Sequence, residues 1–367
     1  MPHATLPSLD RWCALGSYPT RRQRRCADVA ALDACWREAG RPQLGESDQA
    51  ALRGWLTGPR RRVLWRWDDQ FPAPLAAIPD PPLALFADGP LAPSAASPAP
   101  LRPAPQSDDH DAVPQMRCCA IVGSRAASQF ARRFTEQLAG DLVAAGVTVV
   151  SGLAQGIDRA AHEGALAAGG STIAILGAGL GRIYPRGHEG LARRILAADG
   201  LLLSEYAPWV SARRTTFPER NRLISGLSAG VVVVQAALRS GSLVTARCAL
   251  EQGREVLAVP GLPGTGGGAG TNALLRDGAA LVESAQDVLA ALGWTAADAV
   301  ETAPASDAGE PSLLSVLDGA PTSLERLAAL TGVAAGDLAV QLSQWEVDGL
   351  VEATPQGYIR CPIGVRP

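Results

Sequence analysis

Residues 117–158 read RCCAIVGSRAASQFARRFTEQLAGDLVAAGVTVVSGLAQGID, and the fold of the chain turns on them. An apolar run, Arg117–Val122, ends in Gly123-Ser124-Arg125. A helical pattern follows from about Ser128, then a second apolar run, Val147–Ser151, ends in another glycine-bearing turn before a helix of Ala160 to Leu166. Short apolar runs separated by a helix-length connection are the mark of parallel strands, which need a crossover between them. Both turns place small residues where a backbone can approach a ligand closely.

Working outward, the same alternation continues through Thr172–Leu176, Leu201–Ser204, Gly230–Val234, Glu255–Ala258 and Ala280–Val282. It predicts a Rossmann-like α/β domain over residues 116–294, a mostly parallel sheet with helices on both faces. In such sheets ligands lie at the carboxyl ends of the strands, where the strand order reverses. Cys118 and Cys119 open the first run and are expected to act as small buried hydrophobes.

Two breaks in composition bound this domain. Residues 89–115 are dominated by Pro, Ala and Ser, as in an extended linker, and residues 295–311 are similar and more acidic. Residues 1–88 read as an N-terminal helical, SAM-like domain with arginine clusters at Arg21–Arg25 and Arg60–Arg62, ending in an extended Pro-rich segment, FPAPLAAIPDPPLALF. Residues 312–367 predict a Ser323-capped helix, a second helix from about Asp337 to Val347, and two short strands about Pro355-Gln356-Gly357. That order predicts a winged helix.

All 33 basic residues are arginine, a side chain suited to bidentate phosphate contacts and to stacking. Arginines number 13 against 13 acids in residues 1–111, 17 against 13 in 112–294, and 3 against 10 in 295–367, so the excess of positive charge sits in the middle. The seven cysteines lack paired C-x-x-C spacing and only four histidines are present, which argues against a metal site and for free thiols in a reducing compartment. Every apolar stretch is broken by Gly, Arg or Asp and the first residues have no signal-peptide core, so no membrane association and a cytoplasmic location are expected.

Chemistry is concentrated in the turns after the strands. Gly123-Ser124-Arg125 offers backbone N–H groups and a charged fork to an anion, or is a plain turn with a surface arginine. Gly152 and Gly156, four apart after the second strand, make a second such turn; Asp158 reads as a helix cap and His162 as a helix-surface partner. Gly177-Ala178-Gly179-Leu180-Gly181 does not meet the dinucleotide fingerprint, because Arg182-Ile183-Tyr184-Pro185 stands where a helix would have to begin.

The densest stretch is Arg213-Arg214-Thr215-Thr216-Phe217-Pro218-Glu219-Arg220-Asn221-Arg222. Arginines with an interleaved ring and an amide suit an unpaired polynucleotide, since charge follows the phosphates and the ring stacks on a base. The competing possibility is that Arg220 and Arg222 tie helix to sheet by ion pairs while Phe217 is core. Arg214 and Phe217 are expected to be exposed, with at least one of the other two arginines structural. Gly241-Ser242 opens a helix after the fifth strand, and Thr271-Asn272 follows a glycine-rich run, Gly264 to Gly270, after the sixth. No catalytic residue, metal ligand or cofactor is expected.

In this order the segments GSR, SGLAQGID, LGAGLGRIYP, SEYAP, FPERNRLISGLS, SGSLVTA, GREVLAVPG and GTNALLRDGA resemble the DNA-processing protein A family (DprA, also called Smf) over roughly Arg117 to Leu289. The resemblance extends upstream to WDDQFPAPLAAIPDPPLALFADG and downstream to the winged helix. It implies a cytoplasmic, dimeric, non-enzymatic protein that binds single-stranded DNA, protects incoming DNA and loads the RecA recombinase during natural transformation. It also implies DNA contacts at Arg125, the glycines of SGLAQGID, Arg182, Arg214, Phe217, Ser242 and Asn272.

The chain departs from the usual family pattern at Gly181, where Asp is common, and at His188, Gln235 and Ala269. The alternative is a Rossmann-like hydrolase of nucleoside monophosphates, but the region from Pro260-Gly261 to Thr271 offers no acid until Asp277. The acidic tail would be repelled by phosphates and is expected to serve a protein contact or an accessory role.

Overall fold

The computed structural model describes residues 29–38, 44–90, 117–264, 266–294, 317, 322–331, 333, 335–347, 351–354 and 357–360. The arginine cluster Arg21–Arg25, most of the 89–115 linker, the 295–311 linker and the Pro355-Gln356 turn lie outside these residues. The chain divides into two compact units, residues 1–300 and 301–367.

In the first unit, helices α1 (Val29–Glu38) and α2 (Glu46–Leu56) precede strand β1 (Arg61–Trp65), the short α3 (Ala73–Ala76) and β2 (Ala84–Asp88). Then follow β3 (Cys118–Val122), α4 (Gln129–Ala144), β4 (Thr148–Ser151), α5 (Ile157–Ala167), β5 (Thr172–Leu176), α6 (Glu189–Ala197) and β6 (Leu201–Ser204). The remainder is α7 (Thr216–Leu227), β7 (Gly230–Val233), α8 (Gly241–Glu251), β8 (Glu255–Ala258), α9 (Ala269–Arg276), β9 (Ala280–Leu281) and α10 (Ala285–Ala291).

These strands form one nine-stranded sheet in the order β1-β2-β6-β5-β4-β3-β7-β8-β9. From β6 to β9 every pairing is parallel, with Cys119 beside both Val149 and Gly230. The chain runs outward from β3 through β4 and β5 to β6, then returns to the other side of β3 as β7. The reversal point therefore lies between β3 and β7, and the turns after them flank the natural crevice of the fold.

The seven runs identified in the sequence are all strands, each displaced by no more than one residue at either end. Among the described residues of this N-terminal segment, α1 and α2 fit the helical expectation, and two strands depart from it. RRVLW and ALFAD pair antiparallel with each other, and β2 pairs antiparallel with β6 through Phe86 and Ser204, so this segment extends the main sheet. Each strand is only five residues long, and the flanking Arg, Trp and Pro residues hide a period-2 pattern too short to stand out.

Successive side chains of a strand point to opposite faces, and both faces are covered. Cys118, Ala120 and Val122 join Leu75 of α3, Leu223, Ile224 and Leu227 of α7, and Ala246 and Ala249 of α8. Cys119 and Ile121 point the other way, onto Leu138 and Leu142 of α4, Ile157 and Ala161 of α5, and Val288 of α10. Burial pushes both thiols up to about 12, so they are packing groups and not nucleophiles at neutral pH. Toward β6, Leu52 and Trp55 of α2 and Ile195 of α6 close the layer over Phe86 and Leu202.

The second unit holds α11 (Leu324–Thr331), α12 (Ala335–Val347) and an antiparallel hairpin of β10 (Val351–Thr354) and β11 (Gly357–Arg360). Thr322 forms a single bridge to Tyr358 beside this hairpin, and Ser323 Oγ accepts from Arg326 N–H at 3.3 Å, the cap read from the sequence. Leu317, Leu327, Leu338, Leu342 and Val351 form its core. This is a winged helix.

Candidate nucleic-acid interface

The turns after β3, β4 and β7, together with the start of α7, enclose an open groove of about 730 Å³. Gly123, Ser124, Arg125, Arg214, Phe217, Gly241 and Ser242 line it, and with them Tyr184 and Arg239, which the sequence argument did not single out. Arg239 had a legible signal, since it stands immediately before the Ser240-Gly241-Ser242 helix start. Tyr184 lies on a turn that the dinucleotide question dismissed, and only tertiary folding brings it across from the end of β5.

The turn after β3 is held from several sides. Ser124 N–H donates to Gln235 O at 2.7 Å, Ile157 N–H donates to Ser124 O at 3.2 Å, and Ala126 N–H donates to Ser124 Oγ at 3.2 Å. Gln235 Oε1 accepts from Ser128 N–H at 2.9 Å, while Ser128 Oγ caps α4 by accepting from Ala131 N–H. The Gln235 amide oxygen satisfies one N–H at the start of α4.

Several backbone N–H groups expected to cradle phosphate are thus already engaged. Gly152 N–H and Ala154 N–H donate to Asp158 Oδ2 at 3.1 and 3.4 Å, and Ser242 N–H donates to Ser240 Oγ at 3.3 Å. What the groove offers a ligand is mainly side chains. Arg125, Arg214 and Arg239 are exposed, and the Arg125 guanidinium carbon stands 5.0 Å from the centre of the half-buried Phe217 ring. On the far side Tyr184, 49 % exposed, packs against Phe217 with ring centroids 5.5 Å apart and planes tilted by 46°. A guanidinium and two rings in contact form a stacking surface next to free positive charge.

Beneath the rings lies a buried pair. Arg220, 3 % exposed, donates from Nη1 to Gly152 O at 2.7 Å and to Ile175 O, so it joins the carboxyl ends of β4 and β5. Burial draws its guanidinium down to about 10, against the pull of Asp158. Burial also pushes the Asp158 carboxyl up, opposed by Arg220 and by the Ala154 and Gly152 N–H groups. Asp158 is the one carboxylate among the described groove residues, and its charge is turned inward.

Five expected contacts are corrected by this geometry. Arg220 is a strand clamp under the floor. Arg222 is turned away from the groove, with Nη2 on both Glu205 oxygens at 2.8 Å and Nε on Asp80 at 3.3 Å, tying α7 to the turn after β6. Asn272 donates to Gly261 O and accepts from Gly261 N–H, each at 2.9 Å, which closes the loop after β8. Gly152 is buried with both polar groups used, and a Cβ there would meet Arg220 at 2.5 Å. Gly156, at φ +78°, brings the turn onto Ser124 O, 2.2 Å from where a Cβ would stand. Asn221 lines the groove and donates to Gly241 O at 3.2 Å, while Arg182 lies in a neighbouring groove.

His162 is buried, not on the helix surface. Its Nδ1 lies 2.9 Å from Thr172 Oγ1, which donates to Val149 O, so Nδ1 carries the proton; burial, then His188 and Arg220, lower its pKa to about 3. His188 is buried as well, with Nδ1 donating to Leu153 O at 2.8 Å.

Comparison with known proteins gives matches along most of the chain. The family model for DNA recombination-mediator protein A matches residues 110–293, and that for the DprA winged helix domain matches residues 297–357. The Smf protein of Escherichia coli is 39 % identical over 316 residues, covering 83 % of this chain and 79 % of that protein. The X-ray structure of DNA processing protein A from Streptococcus pneumoniae superposes with a TM-score of 0.59 at 31 % identity, covering 76 % of this chain and 95 % of that one. DNA processing protein A from Helicobacter pylori, whose structure describes a single-stranded DNA binding mode, gives 0.51 at 28 % identity over 64 % of this chain and 95 % of its own. Among the described residues no helix is long and apolar enough to cross a membrane.

Proposed function

Because the chain belongs to the DNA recombination-mediator protein A (DprA) family, we propose that its groove binds single-stranded DNA, and that as a cytoplasmic homodimer it protects incoming strands during natural transformation and loads RecA onto them. The observation that carries this is the contact series Arg125–Phe217–Tyr184 beside exposed Arg214 and Arg239, in a groove whose described carboxylate, Asp158, accepts two backbone N–H groups. Unpaired bases have free faces to stack on rings, and duplex bases do not; guanidinium groups follow the phosphates in either. Gly123, Ser124, Arg125, Tyr184, Arg214, Phe217, Asn221, Arg239, Gly241 and Ser242 are assigned to the interface. The H. pylori relative, whose structure describes a single-stranded DNA binding mode, supports the choice of ligand.

The groove holds the strand and breaks no bond in it. Asp158, the residue best placed for acid or base work, accepts two backbone N–H bonds next to Arg220 and is 5 % exposed. The winged helix, acidic overall, is assigned a protein contact.

The test is fluorescence anisotropy of oligothymidine and of a duplex of equal length at several salt concentrations. Three arginines on phosphates predict a slope of log K against log salt of about −2, at ~0.7 per single-strand phosphate. Equal affinity for duplex, or binding indifferent to salt, would overturn the assignment.

A further inference from the structure

A second groove, of about 860 Å³, adjoins the first and shares Tyr184 with it. Arg182, Arg186 and Arg193 line it and all three are exposed. Its acids are Glu189 and Asp88, and Asp88 is already neutralised by Arg61 at 2.8 Å. The excess of positive charge therefore continues beyond Tyr184, on the side of the sheet's carboxyl edge that faces β6.

We propose that the bound strand crosses Tyr184 and continues into this second groove, where Arg182 and Arg193 hold its phosphates as an extended binding segment. The inference rests on the assignment of the first groove to single-stranded DNA. Three features favour a polynucleotide over a small molecule. The second groove is open and six of its fifteen lining residues are charged, four of them arginines, whereas small-molecule sites are mostly apolar with a few convergent polar groups. Its arginines come from two parts of the fold, Arg182 and Arg186 from the segment between β5 and α6 and Arg193 from α6. The ring that separates the two grooves is half exposed and already in contact with Phe217, so a base stacked on one ring leads to the next.

Arg193 belongs only to the second groove, on α6, and gives the discriminating variant. Oligothymidines of about 5 and about 15 nucleotides, spanning the range of single-strand site sizes, are titrated against the full-length protein. The unchanged protein is expected to bind the longer strand at least tenfold more tightly. Arg193→Glu should remove most of that advantage, flatten the salt slope for the longer strand by ~0.7 or more, and leave the shorter strand unaffected. Arg182→Ala serves as the second variant, and thermal melts of both establish that they are folded. Equal losses at both lengths, or no loss at either, would overturn the second segment while leaving the first groove in place. If the unchanged protein bound neither strand, or Arg125→Ala affected neither, the underlying assignment would fail as well.

Discussion

Replacing Arg220 by alanine separates the sequence pattern from the structure most sharply. Within FPERNR the arginine looks like a phosphate contact, so its loss would weaken DNA binding and spare the fold. In the structure it is 3 % exposed, bonded to Gly152 O and Ile175 O, and beside an Asp158 that is 5 % exposed. Truncation removes the positive charge that favours the buried Asp158 carboxylate, at a cost of up to about 3–5 kcal/mol, the figure for a broken buried ion pair. Two strand-end carbonyls also lose their donor, at up to ~1–3 kcal/mol each, though water entering from the groove offsets part of that. With a urea m-value near ~3 kcal/mol/M, a combined loss of at least ~3 kcal/mol should lower the unfolding midpoint by about 1 M or more.

The deficit should also depend on pH. Asp158 already has a raised pKa in the folded protein, and losing Arg220, which opposes the rise, lifts it further. Below the unfolded-state value of ~3.9 the carboxyl is protonated in both states and the deficit is smallest. As pH rises past the raised folded-state pKa of the unchanged protein, its Asp158 ionises while that of the variant stays protonated, so the deficit grows. Urea unfolding of Arg220→Ala at pH 4.5 and pH 7 measures both effects. An unchanged midpoint together with a weakened affinity and a shallower salt slope would refute the clamp and restore Arg220 as a DNA contact.

Arg125→Ala should reduce oligothymidine affinity about 10- to 100-fold, from a charge-assisted contact of ~1.5–3 kcal/mol, and flatten the salt slope by ~0.7. Phe217→Ala should cost a comparable ~1–3 kcal/mol through lost stacking with the slope unchanged; identical slopes for the two variants would contradict the division into charge and ring. Gly156→Ala places a side chain at φ +78° and 2.2 Å from Ser124 O, so a loss of at least ~1–3 kcal/mol is expected in denaturant unfolding, with DNA affinity falling alongside as the Arg125 turn is displaced. Deleting residues 296–367 should change affinity by less than tenfold, ~1.4 kcal/mol, and a larger loss would place the winged helix on the DNA.

The parts of the interface visible in the sequence are those where a local motif also sets direction. Gly123-Ser124-Arg125 follows a strand and precedes a Ser128-capped helix, so Arg125 must stand at the carboxyl edge. Gly241-Ser242 does the same after β7. In FPERNRLISG the arginines look equivalent, yet helical geometry places Arg220 inward beneath the rings and Arg222 against Glu205 and Asp80, partners 17 and 142 residues away. Tyr184 entered the site for the converse reason, from a loop that carries no phosphate motif of its own.

Sequence alone determined the parallel sheet, its strand boundaries, the winged helix and the set of turns that carry chemistry, because hydrophobic period and turn residues act locally. Tertiary structure decided which polar groups remain available to a ligand. Burial and pairing are properties of neighbours distant in the chain: they engaged Arg220, Arg222, Asn272 and several backbone N–H groups internally, joined β1 and β2 to the sheet, and left Arg125, Phe217, Tyr184, Arg214 and Arg239 facing solvent around one groove.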